Sequence, residues 1–212
     1  MPVGSEICIG VPLAEQDACA LLEGAGFTRP RLETQVGRRT SWLRARRART
    51  LPDWIMPGLR MLICGLNPSL YSADVGVPFA RAGNRFWKAA EKAGLTVQER
   101  DPLAALERGI GFTDCVKRAT RRASELRREE YATGLTRLEQ LIRRYRPQAT
   151  CFVGLEGWRR VRDRNAGAGW VAKGFGGRPA YLMPSTSGLN THIDLAGLST
   201  HLLRAARGAP RT

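Results

Sequence analysis

Asn67 stands directly before Pro68 in the run Gly65-Leu66-Asn67-Pro68-Ser69. A proline ring crowds the residue before it out of the helical region, so this asparagine belongs to a loop. A single amide both accepts and donates hydrogen bonds. That suits Asn67 to hold a water molecule or to grip the edge of a pyrimidine; shaping a turn is the plainer use. Twelve residues on, Phe79 follows Pro78, where an aromatic face can stack on a planar base or simply pack into a core. Far along the chain, Met183-Pro184-Ser185-Thr186-Ser187-Gly188-Leu189-Asn190 closes an apolar run with small hydroxyl residues and then presents a leucine beside a glycine. Leu189 is either a wedge between stacked bases, as apolar side chains are in kinked duplexes, or a buried residue of a loop leading into a helix.

Other chemistries are excluded by what is missing. Only two histidines occur, His192 and His201, so a multi-histidine metal site is not available. The five cysteines, Cys8, Cys19, Cys64, Cys115 and Cys151, are odd in number and widely spaced, with no C-x-x-C pair. That argues against a disulfide framework, a zinc ribbon or an iron–sulfur cluster, and free thiols fit a reducing cytoplasm. No cofactor is expected. Lys and Arg number 34 against 19 Asp and Glu, a formal +15. Such an excess favours a polyanionic partner, because a basic surface gains from releasing phosphate counterions. An arginine-rich proteome from a GC-rich genome would raise the same number.

These residues need a scaffold, and 212 residues supply one comfortable domain. No stretch approaches the ~20 apolar residues of a membrane span, and the start, with Glu6, does not read as a signal peptide. Four short apolar runs, at 60–65, 110–116, 149–154 and 180–184, read as buried strands. Helical patterns lie between and after them. Residues 85–93 follow Asn84 and stop at Gly94; residues 125–145 are amphipathic, with Leu135, Leu138, Leu141 and Ile142 on one side; a helix passes through Trp158 and Val161; and 194–206 form the last. Residues 66–83 read as loop. This alternation predicts an α/β fold, a three-layer α/β/α sandwich with a short, mostly parallel central sheet. Ligands of such sheets bind at the carboxyl ends of strands, which singles out the loops after Cys64, Phe112 and Met183. Residues 1–50 read differently, as a basic, partly ordered N-terminal extension with one short helix from Glu15 to Gly24 and little apolar periodicity. Either it contacts DNA or it is a solvated tail. The catalytic unit is expected over 51–212.

Taken in order, Gly-Leu-Asn-Pro-Ser at 65–69, Pro-Phe-Ala at 78–80, Asn-Arg-Phe-Trp at 84–87 and Pro-Ser-x-Ser-Gly-Leu at 184–189 resemble the uracil-DNA glycosylase superfamily, and within it the mismatch-specific uracil/thymine branch. The resemblance covers about residues 51–205 and does not reach residues 1–50. It implies that Asn67 positions the attacking water, that Phe79 stacks on the extruded base, and that Ser72 lies at the base's C5 edge. It makes Leu66, Ala80 and Ser187 part of the substrate-binding set, with backbone groups near Leu66 and Phe79 reading the uracil edge. Gly188, Leu189 and Asn190 match the loop that fills the gap in the duplex and faces the orphaned guanine. The block 84–87 is implied to be a structural helix start.

The chain also departs from the pattern. The main uracil branch has an aspartate in the first motif and a histidine opening the second; here Asn67 and Met183 stand there, and His192 is nine residues further on. Ser185 to Ser187 depart from the Asn-Pro-Ser form of the bacterial mismatch branch. An asparagine does not take a proton from water at neutral pH, so catalysis beyond positioning needs a carboxylate. Asp114 follows Gly-Phe-Thr, a block that resembles the family's Gly-Ile-Thr segment beside the pocket, although its position is not normally acidic in the bacterial branch. Asp114 is either that base or a surface partner of Lys117 or Arg118; Asp74 is the other carboxylate nearby. The expectation is a monofunctional, monomeric DNA glycosylase that flips and excises uracil from duplex DNA with G:U or related mismatches, in a bacterial cytoplasm, with no metal and no membrane. A non-catalytic DNA-binding module and a nucleoside or nucleotide hydrolase are the competing expectations.

Overall fold

A computed structural model describes residues 1–11, 15–33, 41–96 and 98–208. The first strands come where the sequence looks least regular. β1 (Glu6–Val11), α1 (Glu15–Gly24), β2 (Phe27–Glu33) and β3 (Ser41–Arg47) build an antiparallel sheet ordered β1-β3-β2. Helix α1 has the bounds the sequence suggested, and the three strands are elements that the sparse apolar periodicity did not show. In β3, Leu43 and Ala45 are buried against Ala18 and Leu22 of α1, while Arg44 and Arg46 turn to solvent. This is a period of two, concealed because the outward positions and several neighbours are arginine.

The rest of the chain forms the sandwich. β4 (Met61–Gly65) leads to α2 (Leu70–Val75), α3 (Phe86–Lys92), α4 (Pro102–Glu107) and β5 (Ile110–Asp114). Then follow α5 (Arg128–Tyr145), β6 (Ala149–Val153), α6 (Glu156–Val161), β7 (Gly169–Trp170), β8 (Ala180–Met183) and α7 (Leu195–Ala206). The strands order as β5-β4-β6-β8-β7; the first four are parallel and the short β7 closes one edge antiparallel. Every residue of β4, β5, β6 and β8 is buried, as expected of parallel strands covered on both faces. Along β4 the side chains alternate between two cores. Met61 and Ile63 join Phe86, Trp87 and Leu198 of α3 and α7, whereas Leu62 and Cys64 join Leu135, Leu138 and Trp158 of α5 and α6.

One helix lies where the sequence read as loop. Ser69 caps α2 by accepting from the Ser72 N–H, and Gly76 ends it in the left-handed region at φ 74°. Both signals sit in the sequence, but six residues give no periodicity to read. The parallel strands all end on one edge of the sheet, so the segments after Gly65, Asp114, Val153 and Met183 emerge together there.

Candidate active site

Those segments enclose a cleft of about 690 Å³. Of the residues singled out by sequence, Leu66, Asn67, Ser72, Phe79, Asp114, Ser187 and Leu189 all line it. Gly65 and Asp114 are register partners at the ends of β4 and β5. A Cβ on Gly65 would lie 2.4 Å from Asp114 Oδ1 and 3.4 Å from the tip of the Phe79 ring, so only glycine lets carboxyl and ring approach the same strand end.

Asn67 is held by its nitrogen. Nδ2 lies 2.8 Å from Thr120 Oγ1, 3.0 Å from the Arg118 carbonyl and 3.1 Å from that of Pro68. Three acceptors around the nitrogen fix which end of the amide is which. The carbonyl oxygen faces away from them and accepts from no donor among the described residues, so a water O–H can donate to it. Thr120 in turn donates to the Arg122 carbonyl at 2.9 Å, and the 67–70 and 118–120 segments are joined by backbone hydrogen bonds.

Phe79 adopts φ 55°, a conformation uncommon for a bulky residue and one that collects at functional sites. Its ring stacks on Phe86 with centroids 4.3 Å apart and 19° between planes, and it is half-buried at the cleft wall. The turn is held from both sides: Trp87 Nε1 donates to the Pro78 carbonyl at 2.7 Å, and the Ala80 N–H donates to Ser72 Oγ at 3.2 Å. Ala80 is therefore a support rather than a reader. It is 2% exposed, its donor is spent, and it does not line the cleft. The backbone N–H groups of Leu66 and Phe79 take part in no hydrogen bond among the described residues, and both residues face the cleft.

Asp114 is 8% exposed, and its carboxyl has no hydrogen bond or ion pair among the described residues. The two surface pairings open to it in the sequence are not made. Lys117 bonds Asp53 at 2.8 Å, and Arg118 bonds Glu130 at 2.7 Å. Burial pushes the Asp114 carboxyl up from 3.8 to about 6; Lys117 opposes the rise, Asp53 adds to it and Arg137 opposes it. A carboxylate that titrates near the working pH is suited to take a proton. Asp74 is on the solvent side of α2, clamped by Arg49 at 2.6 and 2.7 Å, and does not reach the cleft.

The late loop is braced from the 84–87 block. The Arg85 guanidinium donates to the carbonyls of Ile193 at 2.6 Å and Asn190 at 2.5 Å, and the Arg85 N–H donates to the Thr186 carbonyl at 2.9 Å. A Cβ on Gly188 would lie 2.7 Å from the Gly83 carbonyl oxygen, so this glycine lets the two loops touch. Asn190 spends its side chain inside the loop, donating to the Ser185 carbonyl at 2.8 Å and accepting from the His192 N–H at 3.3 Å. The product of this bracing is Leu189, 87% exposed at the rim of the cleft. An unsupported loop would fold such a side chain inward, since burying it is favourable by about 2 kcal/mol. Arg81, Arg121 and Arg122 line the same cleft and give it a positive rim.

Behind Asp114 sits a cluster the motifs did not reveal. Asp53 receives Lys117 and Arg137, both at 2.8 Å, and the Thr113 hydroxyl at 2.7 Å. Arg137 also donates to the Asp114 backbone carbonyl at 2.7 Å. Burial works against the charge on Asp53, but Lys117 and Arg137 outweigh it and hold the carboxyl below its usual range. The cluster fixes the backbone that carries Asp114. The one sequence signal is an aspartate inside Leu51-Pro52-Asp53-Trp54, between apolar residues.

A model of the Uracil DNA glycosylase superfamily matches residues 52–204 of the chain. The match takes in all five strands of the parallel-rich sheet and every residue lining the cleft except Leu51, and leaves out the three-stranded sheet.

Proposed function

The chain belongs to the uracil DNA glycosylase superfamily, whose members hydrolyse the N-glycosyl bond of uracil in DNA, and from that premise we propose that it acts as a mismatch-type enzyme, excising uracil chiefly opposite guanine from duplex DNA. One arrangement carries this reading: the Asn67 carbonyl and the Asp114 carboxyl, neither partnered among the described residues, line one cleft with the ring of Phe79, whose backbone is strained, and with an exposed leucine at the rim.

The duplex docks against the arginine-bearing rim, and the uracil nucleotide leaves the stack and enters the cleft. Leu189 takes the place it vacates and offsets part of the unstacking. Phe79, backed by Phe86, stacks on the base. Bond cleavage is dissociative: the electron pair of the N1–C1′ bond leaves with uracil, and the backbone N–H groups of Leu66 and Phe79 stabilise the resulting anion. Asn67 Oδ1 accepts one hydrogen bond from the water that adds to C1′, and Asp114 takes that water's proton. Uracil is released after protonation from solvent, leaving an abasic site. No amine nucleophile takes part, so strand cleavage does not follow. The protein works as a monomer on cytoplasmic, nucleoid DNA.

Ser72, buried at the cleft wall with its hydroxyl oxygen accepting from Ser69 Oγ and the Ala80 N–H, limits room beside C5. A methyl group is worth about 1–3 kcal/mol in such a pocket, so uracil is excised faster than thymine. The test is a labelled duplex with one uracil opposite guanine or adenine, or one thymine opposite guanine, treated with enzyme and then alkali. Nicking at uracil, fastest opposite guanine, supports the proposal. Binding without nicking, or equal rates on uracil and thymine, defeats it.

A further inference from the structure

The sheet outside the family match shows solvent a basic face. Because Leu43 and Ala45 turn in toward α1, Arg44 and Arg46 turn out. Across the strands, Arg31 stands directly opposite Arg44, and Thr28 and Glu6 flank Arg46 on either side. Glu6 accepts from Arg46 at 2.9 Å and lies 3.6 Å from Arg44. These residues surround a surface hollow of about 440 Å³, and among the described residues lining it Glu6 is the one carboxylate. Arg31, Arg44 and Arg46 thus bring three guanidiniums together on this face.

The chain leads from this face to the cleft. Leu51, five residues after Arg46, lines the cleft, and Arg49 between them is clamped to Asp74 on α2, the helix that supplies Ser72 to the cleft wall. An extended chain advances at most ~3.6 Å per residue, which places Arg46 within about 18 Å of Leu51 and Arg44 within about 25 Å. At ~3.4 Å per step along a strand of DNA, those distances are five to seven base steps.

We propose that this face is a second DNA contact, in which Arg31, Arg44 and Arg46 grip the phosphate backbone of the duplex up to about seven base pairs from the nucleotide in the cleft. The proposal rests on the reading that duplex DNA occupies the cleft. Guanidinium groups pair with phosphate in a bidentate fashion, and phosphate contacts position without reading sequence. The face therefore adds affinity and register on any duplex and leaves the choice of base to the cleft.

The test is binding of an undamaged duplex extending about ten base pairs either side of the cleft, followed by anisotropy across a salt series. Undamaged DNA keeps the result separate from whether the protein excises uracil. Each phosphate contact contributes about 0.9 to the slope of log affinity against log salt. The R31Q/R44Q/R46Q variant is expected to lower that slope by about 2–3 and to weaken binding more than tenfold at low salt, while R31K/R44K/R46K keeps the wild-type slope. A wild-type slope in the Gln variant overturns the proposal, as does an equal loss in both variants, which would mark a damaged sheet instead of lost charge contacts. A wild-type protein that binds no duplex at all overturns this proposal together with the DNA reading of the cleft, whereas uracil excision with an unchanged slope in the Gln variant overturns this proposal alone.

Discussion

Two buried aspartates, Asp53 and Asp114, share a neighbourhood and are treated in opposite ways. Asp53 is held by Lys117, Arg137 and the Thr113 hydroxyl, and its carboxyl stays below the usual range. Asp114 opens on the cleft, receives no donor among the described residues, and is pushed by burial to about 6. Arg137 could have paired with either carboxylate. It donates to the carboxyl of Asp53 but only to the backbone carbonyl of Asp114. The arrangement satisfies one charge completely and holds the other in place without satisfying it. A paired buried carboxylate stabilises geometry; an unpaired one at a cleft is a candidate for chemistry.

Exchanging the roles gives the largest effects. Asp114→Asn is expected to lower single-turnover excision by about 10²–10⁴-fold, the usual cost of removing a general base, while leaving urea stability at pH 8 no lower than wild type, since a disfavoured charge is removed. Asp53→Asn is expected to show the reverse emphasis, a stability loss of about 3–5 kcal/mol from two buried cations left uncompensated. Any loss of rate there follows from displacement of the β5 end. If Asp53→Asn leaves the urea midpoint unmoved, or Asp114→Asn costs several kcal/mol of stability, the contrast fails.

The same contrast explains what could be read before the structure. β4, β5, β6 and β8 were legible because strands buried on both faces are continuous apolar runs, and α5 was legible because Leu135, Leu138 and Ile142 repeat at helical spacing. The three-stranded sheet was not, because Leu43 and Ala45 alternate with arginines that resemble a charge run. Nor was β7, two residues long. In the site, Asn67, Phe79 and Leu189 could be found from motif order. What the sequence withheld is who bonds to whom. Ala80 spends its donor on Ser72, and Asp53 claims the Lys117 that the sequence offered to Asp114. The second pairing joins residues 64 positions apart, and nothing local marks it.

A smaller effect tests the rim against the floor of the cleft. Phe79→Ala removes the stacking surface and is expected to cost about 1–3 kcal/mol in single-turnover excision, with stability losing less, because Phe86 keeps its contacts with Trp87 and Phe112. Leu189→Ala, with its side chain in solvent before DNA arrives, leaves stability unchanged and slows excision by weakening the flipped state. A stability loss in Phe79→Ala larger than its loss of rate would assign the ring to the core.

The mildest test uses pH. Asp114 must be ionised to accept a proton, so the wild-type rate is level well above its pKa of about 6 and falls tenfold for each unit below. At pH 5 the loss is about tenfold, or ~1.4 kcal/mol, and the residual rate of Asp114→Asn shows no such limb. Stability moves the other way. The Asp114 carboxyl is raised in the folded protein, so its charged form costs stability above about 6, and that cost is relieved as pH falls toward 3.8, where the unfolded carboxyl titrates. Asp53 is lowered, so its contribution is complete above the unfolded value and is lost only as pH falls through its folded one. Between pH 6 and 4, then, acid removes activity while neither aspartate weakens the fold. A rate that stays level down to pH 5, or the same fall in rate with pH in Asp114→Asn, would mean that Asp114 is not the group that takes the proton.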